Sequence, residues 1–268
     1  MEFSSRRFVV FAGVVSICWL FDLPSGKAGP PLVVDDPETL DRGHFELFTS
    51  VLYNKSGTLR SYAAPTELTI GLAKGWECSI NGAYQYNHDD SSTPNTVNGV
   101  LSLDVGTKFH LLTESQNVPI SLALSGHVRF PTSSNSKFAE QGKPAGSGTL
   151  VLARTFGDFA LFANVGFGLA GIQTRAEAND ACFFGLAAQR IFAKKYTVFG
   201  EVYSTPQVGR FRDAVINVDG GLLWDISDRY RISVLLGRGF GPGGADFIAN
   251  IGFLLSLGPT PPAVKPGK

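Results

Sequence analysis

Between Gly43 and Leu257 the chain divides into about twelve short runs of β-forming residues, and the connectors between these runs alternate in length. The long connectors fall at residues 54–63, 87–96, 131–145, 174–181, 207–213 and 239–245, and the short ones at 74–75, 113–117, 157–158, 193–195 and 227–229. An up-and-down barrel in an outer membrane has one rim of long loops and one rim of tight turns. The alternation therefore predicts an all-β fold, a closed antiparallel transmembrane β-barrel of about twelve strands.

The predicted strands lie at residues 43–53, 64–73, 76–86, 97–112, 118–130, 146–156, 159–173, 182–192, 196–206, 214–226, 230–238 and 245–257. Most are close to the 9–11 residues with which a tilted strand crosses a bilayer. Residues 29–42 are rich in Pro and Asp and are unsuited to a central strand, so they are predicted to be a periplasmic lead-in. The Pro-rich residues 258–268 are predicted to be a disordered tail.

Residues 1–28 have the pattern of a cleavable secretory signal peptide. Arg6 and Arg7 provide a positive start, the apolar run 8–21 follows, and Gly26-Lys27-Ala28 places small residues around a cleavage point after Ala28. A single membrane anchor is the alternative, but the apolar run is short for a spanning helix. We therefore expect export through the inner membrane of a Gram-negative bacterium.

Side-chain alternation predicts which side of each strand faces the lipid. Between residues 97 and 112, one face carries Leu101, Leu103, Val105, Phe109 and Leu111, and the other carries Ser102, Asp104, Lys108 and His110. A soluble two-sheet sandwich would alternate in the same way, so the barrel prediction depends on the loop lengths, strand lengths and signal peptide. Arg154 and Arg190 fall on apolar faces, where a cation at mid-membrane would cost about 2–4 kcal/mol, so we expect a rim position or a bulge. The face of Glu201 is assigned to the lumen.

Composition and aromatic placement agree with a membrane barrel. The chain has 21 Phe and only 17% charged residues, whereas soluble domains average about 25%. Aromatic residues cluster near the predicted rims, where membrane barrels carry girdles, although aromatic residues also favour strands in general. The cluster consists of Tyr53, Trp76, Tyr84, Tyr86, Phe130, Phe156, Phe159, Trp224 and Tyr230.

The charge balance and the cysteines argue against several other classes. Loss of residues 1–28 would leave 20 basic and 21 acidic residues, so no net field favours nucleic acid. Cys78 and Cys182 remain, without metal-ligand spacing. We expect no metal or other cofactor, and we expect a monomer whose partners are outer-membrane lipid, a small solute and the barrel-assembly machinery.

The start of the predicted mature chain resembles a known family. Residues 29–39, GPPLVVDDPET, followed by Gly43-His44-Phe45-Glu46, are similar to the opening of a family of outer-membrane barrels named for the meta-cleavage pathway of phenol degradation. The resemblance implies a channel or facilitator for small molecules, including hydrophobic or aromatic ones. It brings no catalytic residues. The chain departs from many outer-membrane barrels in carrying eleven residues after Leu257 instead of ending on the last strand.

Charged residues on the predicted inner faces are candidates for setting selectivity. They are Glu46, Glu67, Glu77, Asp104, Lys108, His110, His127, Arg129, Glu201, Asp219, Arg231 and Asp246. Their mixed sign predicts weak ion selectivity. The alternative is a filled barrel of about this size, serving as a structural or adhesive surface protein without transport.

A lipid-modifying enzyme is the third possibility. Ser125 and His127 stand two residues apart in one predicted strand, and a serine beside a general base is the minimum for acyl transfer. Both residues are predicted to face the lumen, where lipid does not reach them. We therefore do not expect an enzyme.

Overall fold

The computed structural model describes residues 31–91, 95–135, 144–169 and 180–258. Within these residues the strands are β1 (Phe45–Ser56), β2 (Leu59–Ala73), β3 (Trp76–Asp89), β4 (Asn95–Val100), β5 (Leu103–Leu112), β6 (Ser121–Phe130), β7 (Ala145–Phe156), β8 (Phe159–Leu169), β9 (Ala181–Phe192), β10 (Tyr196–Ser204), β11 (Ile216–Ser227), β12 (Tyr230–Phe240) and β13 (Phe247–Leu257). A short 3-10 helix spans Phe211–Asp213. The predicted signal peptide and nearly all of the predicted tail lie outside the described residues.

The strands form one closed antiparallel sheet. β1 pairs with β2 on one side and with β13 on the other, which closes the wall. β4 and β5 share one position, because both pair with β3. The barrel therefore has twelve wall positions built from thirteen strands, and the prediction of a closed barrel of about twelve strands is confirmed.

The break between β4 and β5 is a β-bulge. Tyr84 pairs with Val100, but three residues earlier Asn81 pairs with Asp104, so the β4–β5 side contains one extra residue. The extra residue shifts the alternation, and Leu101 lines a lumenal cavity beside Ser102. The prediction that Leu101 shares the outer face of Leu103 is therefore wrong.

Connector lengths are sorted between the two rims with two exceptions, the turn between β1 and β2 and the eight residues 113–120. The described connector residues of the long-loop rim are 90–91, 131–135, 144, 180, 205–215 and 241–246, and the short-turn rim contains residues 74–75, 113–120, 157–158, 193–195 and 228–229. The predicted long connector 54–63 is wrong, because β1 and β2 continue to the tight turn Gly57-Thr58. Gly57 has a positive φ of 57°, which suits a hairpin turn. The ends of β1 and β2 next to this turn are polar, and they pair with each other although they lack the apolar alternation of the other strands.

The outer surface of the barrel is apolar along the middle of the strands. Val51, Ile80, Leu124 and Val165 are exposed there, as expected for side chains that meet acyl chains. In the described part of the chain, no helix is long and apolar enough to cross a membrane.

The two outward-facing arginines lie near the short-turn rim. Arg154 stands two residues before the end of β7, with its guanidinium 4.9 Å from the ring centre of Phe156. Arg190 is placed in the same way in β9, 4.9 Å from the ring centre of Phe192. The rim position that we expected for both residues is therefore the one observed, and the mid-membrane cost does not apply.

Aromatic contacts line both rims. Near the long-loop rim, Tyr62 lies between Tyr53 and Tyr86, with ring centres 5.0 and 6.2 Å away. Near the short-turn rim the stacked pairs are Trp76–Phe109, Tyr196–Trp224 and Tyr230–Phe253, with ring centres 5.6, 6.2 and 5.9 Å apart. Rings at these two levels match the paired girdles of membrane barrels.

Candidate functional site

Residues 31–42, here called the inserted segment, enter the barrel. Val34 is 0% exposed and packs with Ala160, Phe162 and Ala187 on the inner faces of β8 and β9. Near the short-turn rim the segment joins the wall, where Gly43 N donates to Gly71 O at 2.9 Å. That residues 29–42 are a periplasmic lead-in stays a prediction, and the contacts of Val34 and Leu40 lie inside the barrel. A Pro-rich segment that cannot join a sheet can still bond to polar side chains inside one.

On the β10 side, a buried carboxylate holds the first residues of the inserted segment. Glu201 is 4% exposed. Its oxygens accept hydrogen bonds from Val33 N at 2.9 and 3.0 Å and from Val34 N at 2.8 Å. These charge-assisted bonds satisfy two backbone donors that would otherwise be unpaired inside the barrel.

On the β3 and β5 side, an ion cluster holds the middle of the inserted segment. Lys108 Nζ lies 3.2 Å from Asp35 Oδ1 and 3.2 Å from Glu77 Oε1. It also donates to the backbone oxygen of Asp36 at 3.1 Å. Burial raises the pKa of the Asp36 carboxyl well above its usual value, and the nearby Lys108 opposes that rise. The segment is therefore bound at both walls.

Two further contacts continue this cluster toward the short-turn rim. His110 Nδ1 lies 2.6 Å from Pro37 O, and Leu40 N donates to Glu77 Oε2 at 2.7 Å. The backbone of the inserted segment is thus held from Val33 to Leu40 by side chains on three strands.

The part of the lumen beside β8–β13 is filled by apolar side chains. One cluster surrounds Val34, and a second contains Phe199, Leu223, Leu235 and Ile248. Leu32 of the inserted segment packs against both clusters. This packing leaves the free volume on the opposite side, between the inserted segment and β1–β6.

Two cavities lie mainly on that opposite side. The first has a volume of about 600 Å³ and extends along the short-turn rim to β11–β13, where Asp225, Arg231 and Ser256 line it. The second has a volume of about 430 Å³ and lies toward the long-loop rim, against Phe48, Leu101 and Asn250. Leu32 and Glu67 line both cavities, so these two side chains mark the junction.

The structure brings most of the predicted candidates to this region. Glu46, Glu67, Glu77, Lys108, His127 and Arg231 line the first cavity. Arg129 lines the second cavity together with Glu67. His110 and Glu201 bind the inserted segment, and Asp219 is buried in contact with Glu201. Asp246 lies apart at the long-loop rim, where it accepts a hydrogen bond from Gly57 N. That these residues set selectivity stays a prediction.

Sequence reasoning missed the functional residues of the inserted segment itself, chiefly Leu32 and Asp35. The available signal was the apolar run Leu32-Val33-Val34 next to two aspartates. An apolar run is unusual in a solvated linker and fits a segment that is buried.

Ser125 and His127 lie on the inner face of β6, where both line the first cavity. His127 Nδ1 lies 2.9 Å from Asp104 Oδ1, and Asp104 also pairs with Arg129 at 3.5 Å. Ser125 is buried on the same inner face. Among the described residues, no group of three or more His, Cys, Asp and Glu side chains could hold a metal ion.

The structure is a closed barrel with an apolar exterior, two levels of aromatic side chains, one rim of tight turns and a lumen lined by polar residues. This is the architecture of outer-membrane channels. Residues 91–257 match the family described as "Putative MetA-pathway of phenol degradation". The chain belongs to this family, and the family predicted from residues 29–46 is confirmed by this match over the later strands. No curated protein matches the sequence.

Solved structures share the architecture at low identity. An outer-membrane channel from Pseudomonas putida F1 is 11% identical, with a TM-score of 0.66, covering 86% of this chain and 100% of that one. The KdgM porin in complex with oligogalacturonate is 10% identical, with a TM-score of 0.55 and coverages of 79% and 99%. The β domain of the Bordetella autotransporter BrkA is 12% identical, with a TM-score of 0.52 and coverages of 81% and 100%. At these identities the similarity establishes the fold alone.

Proposed function

We propose that this protein is an outer-membrane channel for the passive passage of small solutes. The observation that carries the proposal is the pair of lumenal cavities that meet at Leu32 and Glu67. Together they outline a route along β1–β6, past the inserted segment. The similarity in fold to a channel from Pseudomonas putida F1 supports the same function.

The size and lining of the route favour compact solutes with an apolar part. Volumes of about 600 and 430 Å³ fall within the range of small-molecule pockets, about 300–1,000 Å³. The second cavity presents Pro31, Leu32, Phe48 and Leu101 beside the polar Ser50. A small hydrophobic or aromatic molecule with one polar group would find partners there.

The setting of this channel is part of the proposal. A signal peptide cleaved after Ala28 would take the chain through the inner membrane of a Gram-negative bacterium, and the barrel-assembly machinery would insert it as a monomer. The apolar outer face and the two aromatic levels support insertion into lipid.

A filled barrel with a structural or adhesive role is the second candidate. It is favoured by the apolar clusters around Val34 and Phe199, which together with the inserted segment occupy the β8–β13 side of the lumen. In that case the two cavities would be closed to each other at Leu32 and Glu67.

Permeability measurements separate the two candidates. Purified, heat-modifiable protein is placed in planar bilayers and in liposomes containing solutes of graded size. A channel gives discrete conductance steps and swelling that decreases as solute size increases. A barrel that is heat-modifiable but gives neither steps nor swelling would refute the proposed transport and leave the filled barrel.

A further inference from the structure

We propose that Glu67 sets the ion preference of the lumen, and that the route favours small cations, including short alkylammonium ions. This inference rests on the proposed channel function and names the class of solute that the same route would prefer.

Glu67 occupies the junction of the route. It lies on the inner face of β2, between its pairing partners Phe48 in β1 and Asn81 in β3. Its side chain lines both cavities, and Leu32 of the inserted segment is the other residue that does so. A fixed charge acts most strongly on passing ions at a narrow point with low-dielectric surroundings.

The charge of Glu67 is not neutralised by a basic side chain. Its Oε1 accepts a hydrogen bond from Thr69 Oγ1 at 3.1 Å, and within the described part of the chain it forms no salt bridge. Glu77 and Asp225 differ, because Glu77 pairs with Lys108 and Asp225 pairs with Arg231. Glu46 accepts a hydrogen bond from Ser256 and lines only the first cavity, so it lies away from the junction. Glu67 is therefore the acid that is placed to attract a mobile cation.

The charged side chains around Glu67 also carry net negative charge. Lys108 is shared by the carboxylates of Asp35 and Glu77, each 3.2 Å away, which leaves an acidic excess in the first cavity. In the second cavity Arg129 is offset by Asp104, 3.5 Å away. The mixed sign of the lumenal charges had predicted weak selectivity, but the pairing leaves net negative charge along the route.

The apolar side chains near Glu67 indicate that a preferred cation would also carry a short hydrocarbon part. Leu32, Phe48, Pro65 and Leu101 line the second cavity around the junction. An ammonium group would be attracted to the Glu67 carboxylate while a short hydrocarbon chain contacts these side chains. A primary alkylammonium ion such as butylammonium is therefore a suitable probe.

The test is a reversal-potential measurement on the full-length protein in bilayers of neutral lipid at pH 7.5, first in a KCl gradient and then with butylammonium chloride replacing KCl on one side. Because a focused charge can raise the local counter-ion concentration about tenfold or more, we expect the wild type to prefer cations and Glu67→Gln to lower the cation-to-anion permeability ratio about threefold or more. Glu67→Lys should reverse the preference, and Glu67→Asp should retain it.

Asp158→Asn is the matched control. Asp158 is exposed in the turn after β7, at the short-turn rim, so its loss removes the same charge far from the junction and should leave the ratio unchanged. Heat-modifiable migration verifies that each variant has folded. A wild type that prefers cations and passes butylammonium, with the preference lost in Glu67→Gln, supports the inference.

The two proposals fail in different ways. Absence of conductance steps in the folded wild type would overturn the channel function itself. Steps with a permeability ratio near one in the wild type, or an unchanged ratio in Glu67→Gln, would overturn the role of Glu67 alone. If Glu67→Gln does not fold, the permeability ratio of Glu67→Lys decides, because an unchanged cation preference in that variant would overturn the role of Glu67.

Discussion

Replacing Glu201 by Ala should release the first residues of the inserted segment from the wall of the barrel. In the native structure the carboxylate accepts hydrogen bonds from two backbone donors, Val33 N and Val34 N, at 2.8–3.0 Å. Glu201 and Val34 are both buried, so the two donors would lose their partner in a place that water reaches poorly.

The magnitude follows from these bonds. A hydrogen bond to a charged group contributes about 1.5–3 kcal/mol, and water entering the space left by the side chain offsets part of the loss. We therefore expect Glu201→Ala to weaken attachment of the segment by about 2–3 kcal/mol, which corresponds to a roughly 30- to 150-fold increase in the released population. Glu201→Gln keeps one acceptor oxygen and should have a smaller effect.

Hydrogen exchange followed by mass spectrometry measures this release directly. In Glu201→Ala, the amides of residues 33 and 34 should exchange about 30 to 150 times faster, while residues near Leu40 stay protected, because Glu77 still holds Leu40 N. Glu46→Ala is the control, since Glu46 is bonded to Ser256 and not to the inserted segment. Unchanged exchange at residues 33 and 34 would refute the attachment through Glu201.

Two other substitutions and one measurement test the lumenal packing, the lipid-facing surface and the signal peptide. Gly185→Leu should displace the inserted segment without altering Glu201, because a Cβ at Gly185 would lie 2.6 Å from Val34 Cγ2. Single-channel conductance should then rise. Unchanged conductance and unchanged hydrogen exchange of the inserted segment would contradict this packing. Val165→Arg places a cation on the outer face of β8, where Val165 is 50% exposed, and should destabilise the barrel by about 2–4 kcal/mol in urea titrations in lipid, whereas a neutral effect would place that face away from the acyl chains. Mass spectrometry of protein recovered from outer membranes should find Gly29 as the first residue, and an intact N-terminus would contradict the signal peptide.

The general architecture could be predicted because it depends on repeated local patterns. Alternation in residues 118–130 assigned Ser125 and His127 to the inside, and the same rule assigned Glu201 to the lumen. Such assignments need only the two-residue period of a strand.

The predictions that were wrong concern features that depend on tertiary contacts. The bulge that turns Leu101 inward depends on how β4 and β5 both pair with β3, and the hairpin at Gly57-Thr58 continues above the apolar belt, where composition gives no strand signal. The inserted segment is held largely through its own backbone groups, at Val33, Val34 and Leu40. Backbone donors are present at almost every position in a chain, so their partners cannot be identified from sequence.

The candidate site was predicted as a set of residues but not as an arrangement. Glu67 and Lys108 were both expected in the lumen, yet one lies at the junction of two cavities and the other is enclosed by carboxylates. That difference depends on Asp35 and Leu32, which reach these residues only because the inserted segment folds back into the barrel.

Cysteine modification of the open channel tests most directly whether solutes pass between the inserted segment and β1–β6. Cys78 and Cys182 are replaced by Ser, and a single Cys is then introduced at Ser79, which lines the first cavity, or at Ala187, which is packed against Val34. A charged methanethiosulfonate reagent should reduce the current through the Ser79→Cys channel and leave the Ala187→Cys channel unaffected. Current that is blocked through Ala187→Cys but not through Ser79→Cys would contradict the proposed route.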